Sequence, residues 1–257
     1  MIKNKVSIKM IQYEMRNIAG NPFIHIFGLG FPIVLMLVIS RSIASELPDP
    51  SYLQIATTSI FLGIGSIIPL ATILMGYSAT ASQEIEKGIP LRMELFGFSE
   101  TYTMLNRLFA ELIYMTGAFI LYFVIGFLYT DIAIPTAMGL TAYIVSIYIL
   151  AGILFVMAHG ISNIVQKFGP TYLITMLMYF CIMILGGMMG IQTEDLPKVF
   201  QSIAKLFPTT FISQDFYLVW TGESYNFVPM IQSYIFLAAV SGILIFVMFY
   251  KKRRTIH

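Results

Sequence analysis

The sequence predicts an all-α integral membrane protein of six transmembrane helices, folded as a single membrane domain over residues 1–257. Three observations carry that expectation. The chain is 58% hydrophobic and 11% charged, with a mean hydropathy of +0.82, whereas soluble domains run near 25% charged. A soluble fold of this size lacks the polar residues to coat so much apolar surface. Six stretches each supply the roughly 20 apolar helical residues that a bilayer core about 30 Å thick requires. Finally, the basic residues gather in alternate connections, as they do in chains threaded through a membrane.

Residues 1–21 come first and predict an interfacial helix. Lys5, Lys9, Gln12 and Arg16 follow i, i+4, i+7 and i+11 as one polar stripe, with Val6, Met10 and Tyr13 to one side and Ile11, Met15 and Ile18 to the other. Glu14 interrupts the apolar face. A basic topology anchor accounts for the charges equally well. No short apolar core with a small-residue cleavage site follows, so the first span is expected to act as its own insertion signal.

The six expected spans are Pro22 to Ser40, Tyr52 to Ala81, Met104 to Tyr129, Ile134 to Ile161, Pro170 to Gly190, and Phe227 to Tyr250. The second is long enough to tilt or to extend past the lipid. Pro32 and Pro69 lie inside spans and should kink them. With the N-terminus inside, the inner flanks hold Lys3, Lys5, Lys9, Arg16, Lys87, Arg92, Arg107, Lys167, Lys251, Lys252, Arg253 and Arg254. The outside keeps Arg41, Lys198 and Lys205. That asymmetry puts both termini in the cytoplasm.

Two connections are too long for simple turns. Residues 82–103 lie inside and are dense in charge. Residues 191–226 lie outside; there Leu196, Val199, Phe200, Ile203, Leu206 and Phe207 take helical spacing until Pro208 stops the helix. Thr209 to Trp220 stays aromatic and apolar yet is too short to cross, which suggests a partly re-entrant segment on the outer leaflet. Gly186 and Gly190 form a G-x-x-x-G near the outer end of the fifth span. Such glycines serve close helix approach, at a subunit interface for instance, or simply loosen a helix end before a loop.

Several chemistries are excluded. Cys181 is the sole cysteine, so neither an internal disulfide nor a thiolate cluster is available. No lysine follows a glycine, so there is no P-loop, and no H-E-x-x-H or G-x-S-x-G occurs. No metal, catalytic residue or nucleic-acid partner is expected, and a net charge of +2 adds nothing on partners. The middles of the spans lack Asp, Glu, Lys and Arg. Arg107 and Glu111 come closest, as an i, i+4 pair near the inner end of the third span. An ion pair at the headgroups is the plainer reading and a relay the sharper one. His25 and His159 read as interfacial histidines. A proton-driven carrier with a buried carboxylate is therefore not expected.

The inner loop carries a resemblance. Its run from Ser82 to Ser99 opens with Glu84-Ile85-Glu86-Lys87-Gly88, a Glu-x-Glu-x-Gly pattern followed by a leucine-containing stretch and the third span. This resembles the coupling region of type-2 ABC-transporter permeases, from which it departs at Pro90. The outer stretch Leu196 to Phe211 is similar to the segment such permeases carry between their fifth and sixth spans. The order of parts across the chain agrees as well.

The resemblance implies a bacterial inner-membrane permease that exports an apolar or amphipathic peptide, drug or lipid. Its partners would be a second copy of itself or a related permease, and a separate cytoplasmic ABC ATPase subunit that holds the ATP and Mg. A cavity between the copies would be lined by parts of the second and fifth spans. The coupling loop is chemically suited to seat in a groove on such a partner. Glu84, Glu86 and Arg92 would form ion pairs around Gly88, with Leu91, Leu95, Phe96 and Phe98 as apolar anchor. A solvated loop that only fixes topology is the alternative. Rival functions are an ATP-independent secondary transporter and a ligand-binding immunity or sensor subunit.

Overall fold

The computed structural model describes residues 6–46, 49–189 and 193–255, organised as helices joined by turns. Lys3 and Lys5 of the basic start and Gly190 of the glycine pair lie outside the described residues. Among the described residues, six helices are long and apolar enough to cross a membrane: Pro22–Glu46, Pro50–Glu86, Glu100–Tyr129, Ala137–Val165, Phe168–Leu185 and Val228–Arg253. They are the first to sixth spans, as in a multi-pass membrane protein.

Local chemistry sets where they begin. The Asp49 carboxylate accepts from the Ser51 N–H and Pro50 opens the second span. Ser99 accepts from the Tyr102 N–H, which starts the third span at Glu100 rather than Met104. Thr136 accepts from the Gly139 N–H, so the fourth span starts after Pro135 and not at Ile134. Each is an N-cap satisfying donors that a helix start leaves free.

The second span is the axis of the bundle. Every residue from Phe61 to Ala79 is buried within the chain. The first, third, fourth and fifth spans pack around it and the sixth packs on the fourth; all turn large apolar residues outward, among them Val34 and Val38, Leu121 and Val124, Leu173 and Leu177, and Ile243 and Phe246. The resemblance implies a cavity between copies lined by the second and fifth spans. The second span has no free face in that stretch, whereas the fifth does.

Neither Pro32 nor Pro69 produces a simple break. Pro32 follows a π-helical stretch over Ile26–Gly30, and Pro69 precedes a longer one over Leu70–Tyr77. At Pro32 the wider turn precedes the proline and absorbs the hydrogen bond it cannot donate; after Pro69 the Leu70 N–H first turns back to Ile67 O. The two π stretches meet: a Cβ on Gly28 would sit 2.5 Å from Thr72 Cγ2, and one on Gly76 would sit 2.8 Å from Ile24 Cγ1. Glycine at both positions lets the first two spans approach at backbone distance.

The proximal end of the bundle carries the N-terminal helix Ile8–Ala19, the short helix Ile89–Leu95 and the close of the sixth span. The distal end carries three short helices, Lys198–Ala204, Pro208–Gln214 and Phe216–Thr221. Pro208 opens the second of these as well as following the first. Phe216 and Trp220 are fully buried. The segment packs on glycines of the second and fourth spans: a Cβ on Gly63 would meet Ser213 Cβ at 2.6 Å, and one on Gly139 would meet Val219 O at 2.5 Å. The Trp220 indole donates to Ala133 O at 2.7 Å, and Trp220 O accepts from the Thr136 N–H at 2.9 Å.

The distal core also repairs a fault in the second span. Ser66 donates its N–H back to Gly63 O, which frees the carbonyls one turn earlier. Tyr143 donates to Leu62 O at 3.0 Å and Tyr122 to Phe61 O at 2.7 Å. A Cβ on Gly65 would overlap the Tyr143 hydroxyl.

Candidate functional site

Polar chemistry converges at the proximal end, around Arg107 of the third span. Its Nε donates to Glu14 Oε2 at 3.0 Å, and its Nη2 donates to Glu84 Oε1 and Oε2 at 2.6 and 2.7 Å. The guanidinium therefore joins the N-terminal helix, the second span and the third. Its carbon stands 5.8 Å from the centroid of the Tyr77 ring. That ring stacks on Phe155 of the fourth span at 4.4 Å, and the Tyr77 hydroxyl pairs with His159 Nδ1 at 2.7 Å. Between these groups lies a cavity of about 80 Å³, reached also by Asn163 and Glu100. It has room for a few waters with polar partners on every side. Lys252 of the sixth span closes the ring of contacts on Glu100 at 2.5 Å.

Glu14 marks where the sequence reading changes. It interrupts the apolar face of the N-terminal helix because that face packs on the third span and Glu14 meets Arg107 there. Burial pushes the Glu14 carboxyl above the ordinary carboxylate range; Arg107 draws it back down and Glu84 adds to the rise. Arg107 thus pairs with Glu14 and Glu84 and not with Glu111, its expected i, i+4 partner. Tertiary approach outcompetes the local spacing. Glu111 is left 2% exposed, with Oε2 lacking any hydrogen-bond partner. A carboxyl group is therefore buried well inside a span, where the sequence suggested a headgroup-level charge.

The remaining expected site residues fall into two groups. Leu91, Leu95 and Phe96 stand 64%, 79% and 79% exposed on or just after the helix Ile89–Leu95. Gly88 makes the turn into that helix with φ 67°, a left-handed conformation that favours glycine. Pro90 starts the new helix in its first turn and does not disrupt one. Arg92 folds back, donating to Lys87 O at 2.7 Å, and Phe98 stacks on Tyr102 at 5.6 Å.

Glu84 and Glu86 instead face the bundle. Glu84 holds Arg107, and Glu86 Oε2 accepts from the Phe168 N–H at 2.9 Å, capping the fifth span. Both carboxylates thus tie the root of the loop to the bundle, Glu84 half-buried and Glu86 still exposed to solvent. Lys9 and Arg16 lie on the exposed side of the N-terminal helix. Gly186 is no part of a helical ridge: the fifth span ends at Leu185, and Gly186 O accepts from the Ser213 hydroxyl of the same chain.

His25 and His159 are each held by a hydroxyl. His25 takes Tyr114 at 2.8 Å and Ala19 O at 3.0 Å, as His159 takes Tyr77. Among the described residues no group of three or more His, Cys, Asp or Glu is placed to hold a metal. Compared with protein-family models, curated proteins and solved structures, the chain matches none.

Proposed function

We propose that the chain is the membrane-spanning permease subunit of an ATP-driven exporter for an apolar or amphipathic substrate, driven by a separate cytoplasmic ATPase subunit. One observation carries the reading. A short helix at the proximal end presents Leu91, Leu95 and Phe96 to solvent, and residues at its root tie into three other elements. Apolar side chains on a solvent-side loop are what a protein partner covers. A push on that helix passes through Gly88 to Glu84, from there to Arg107 and Glu14, and through Glu86 to the fifth span. In this reading both termini are cytoplasmic, the N-terminal helix lies in the membrane surface, and two permease copies assemble above the ATPase pair.

The test is co-purification of the chain, expressed with the genes beside it, followed by an ATPase assay. The informative variant is Leu95→Ser with Phe96→Ser, since these side chains support nothing within the chain. An ATPase should accompany the unaltered chain and be lost or uncoupled in the variant. Purification of the chain alone, with no ATPase able to reconstitute onto it, would end this reading.

One observation favours a second reading. A buried carboxyl with an unpartnered oxygen, Glu111, is a common feature of ion-driven carriers. Transport that survives ATP depletion and collapses with the proton or sodium gradient would select it.

A further inference from the structure

A cavity of about 720 Å³ runs between the N-terminal helix, the start of the first span, the second span and the start of the fifth. Its deep part is apolar, lined by Ile24, Ala71 and Met75. Phe23 and Tyr172 form its side walls, meeting edge to face at 6.0 Å. Its rim is polar, with Asn17, Gln83 and Lys87. From Lys87 to Ala71 the second span descends roughly 20 Å, close to the depth of one leaflet with its headgroup region.

The rim is basic. Lys9 and Arg16 precede and follow Tyr13 by four and three residues, so they flank the edge of the N-terminal helix that borders the cavity. Lys9, Arg16 and Lys87 are all exposed, and no ion pair joins them to another described residue. The one carboxylate in the lining, Glu84, is held by Arg107. Asn21, whose side-chain oxygen caps the first span, also lines the cavity, and its amide nitrogen is not used in that cap.

We propose that this cavity binds an anionic phospholipid of the proximal leaflet, with its phosphate among Lys87, Arg16 and the rim amides. One acyl chain lies along Ile24, Met75 and Tyr172. The gradient from basic rim to apolar floor over one leaflet's depth matches that ligand. A soluble anion leaves the floor empty, and a neutral lipid leaves three cations without a counter-charge. The inference requires only that the six helices lie in a bilayer. It does not depend on an ATPase partner.

Native mass spectrometry of the full chain tests it, with phosphatidylglycerol and phosphatidylcholine of identical acyl chains as probes. Phosphatidylglycerol should be retained about tenfold better than phosphatidylcholine. Lys87→Glu should abolish that preference, and Thr80→Trp, which fills the cavity from the second span, should strip both lipids. Should Thr80→Trp fail to fold, Gln83→Glu serves instead, since it adds negative charge at the rim without filling space. Equal retention of the two lipids, or a phosphatidylglycerol preference unmoved by Lys87→Glu, overturns the proposal. The ATPase assay is not involved, so this result and that of the coupling test are read separately.

Discussion

The two ends of the bundle solve the same problem with different chemistry. At the distal end, neutral donors from Tyr122, Tyr143 and Trp220 each reach one backbone carbonyl, and every partner is fixed by close aromatic packing. At the proximal end, one guanidinium serves two carboxylates while a third carboxyl, Glu111, stands one turn away without a partner for its Oε2. Neutral bonds to backbone have a single satisfied arrangement. A charge cluster with more acids than bases has alternatives. The distal end is thus built to stay, and the proximal end to exchange partners.

The largest expected effect tests the proximal side of that contrast. Arg107→Met strands the buried Glu14 and the half-buried Glu84 and should cost about 3 kcal/mol or more, read as a lowered unfolding temperature in detergent. Adding Glu14→Gln and Glu84→Gln to it should recover most of the loss. If it does not, Arg107 acts by packing and the charge contrast fails.

Next comes the distal clasp. Gly65→Ala drives a methyl into the Tyr143 hydroxyl and should cost about 1–3 kcal/mol. Tyr143→Phe alone should cost about 1 kcal/mol for the bond to Leu62 O. The double variant should cost less than the sum, since removing the hydroxyl opens the space the methyl needs. Strict additivity would show that the two do not meet.

Smaller still is a pH effect confined to the proximal end. The Glu14 carboxyl is raised by burial, so the folded state holds its proton more tightly than the unfolded chain does. Its favourable contribution is complete below the ordinary carboxylate pKa and is lost as pH rises through the raised value. Glu14→Gln should therefore flatten the fall in stability across that window, measured by thermal unfolding against pH. A steeper fall would reverse the assignment. The smallest effect is expected on the loop: Leu95→Ser with Phe96→Ser should change stability of the isolated chain by no more than about 0.5 kcal/mol.

Much of the fold was legible because a membrane span announces itself locally. Runs such as Pro22 to Ser40 need no tertiary knowledge, and the caps at Asp49, Ser99 and Thr136 only adjusted the ends. The site was legible in part. Leu91, Leu95 and Phe96 stood out as apolar residues in a charged loop, and they are exposed. Glu14 stood out as an intruder on an apolar face, but its partner lies 93 residues away, and no periodicity carries that distance. The same limit misdirected Arg107 toward Glu111: spacing along one helix was visible, while the approach of two others was not. The two π stretches had only Pro32, Pro69 and nearby glycines as signals, and those predict a kink as readily as a wider turn.

The enclosure of the second span also bears on how the chain is made. A helix synthesised second and inserted in order must wait in lipid until the fourth and fifth arrive to cover it. Three of its hydroxyls are prepared for that interval: Thr72 donates to Ile68 O, Thr80 to Gly76 O and Ser82 to Ser78 O, all within the same helix. Each is satisfied without any neighbour, as hydrocarbon demands. Only after the later helices pack does Ser78 gain an outside partner, Thr175 of the fifth span. The segment that ends as the protein's most protected part is thus composed to survive as its most exposed one.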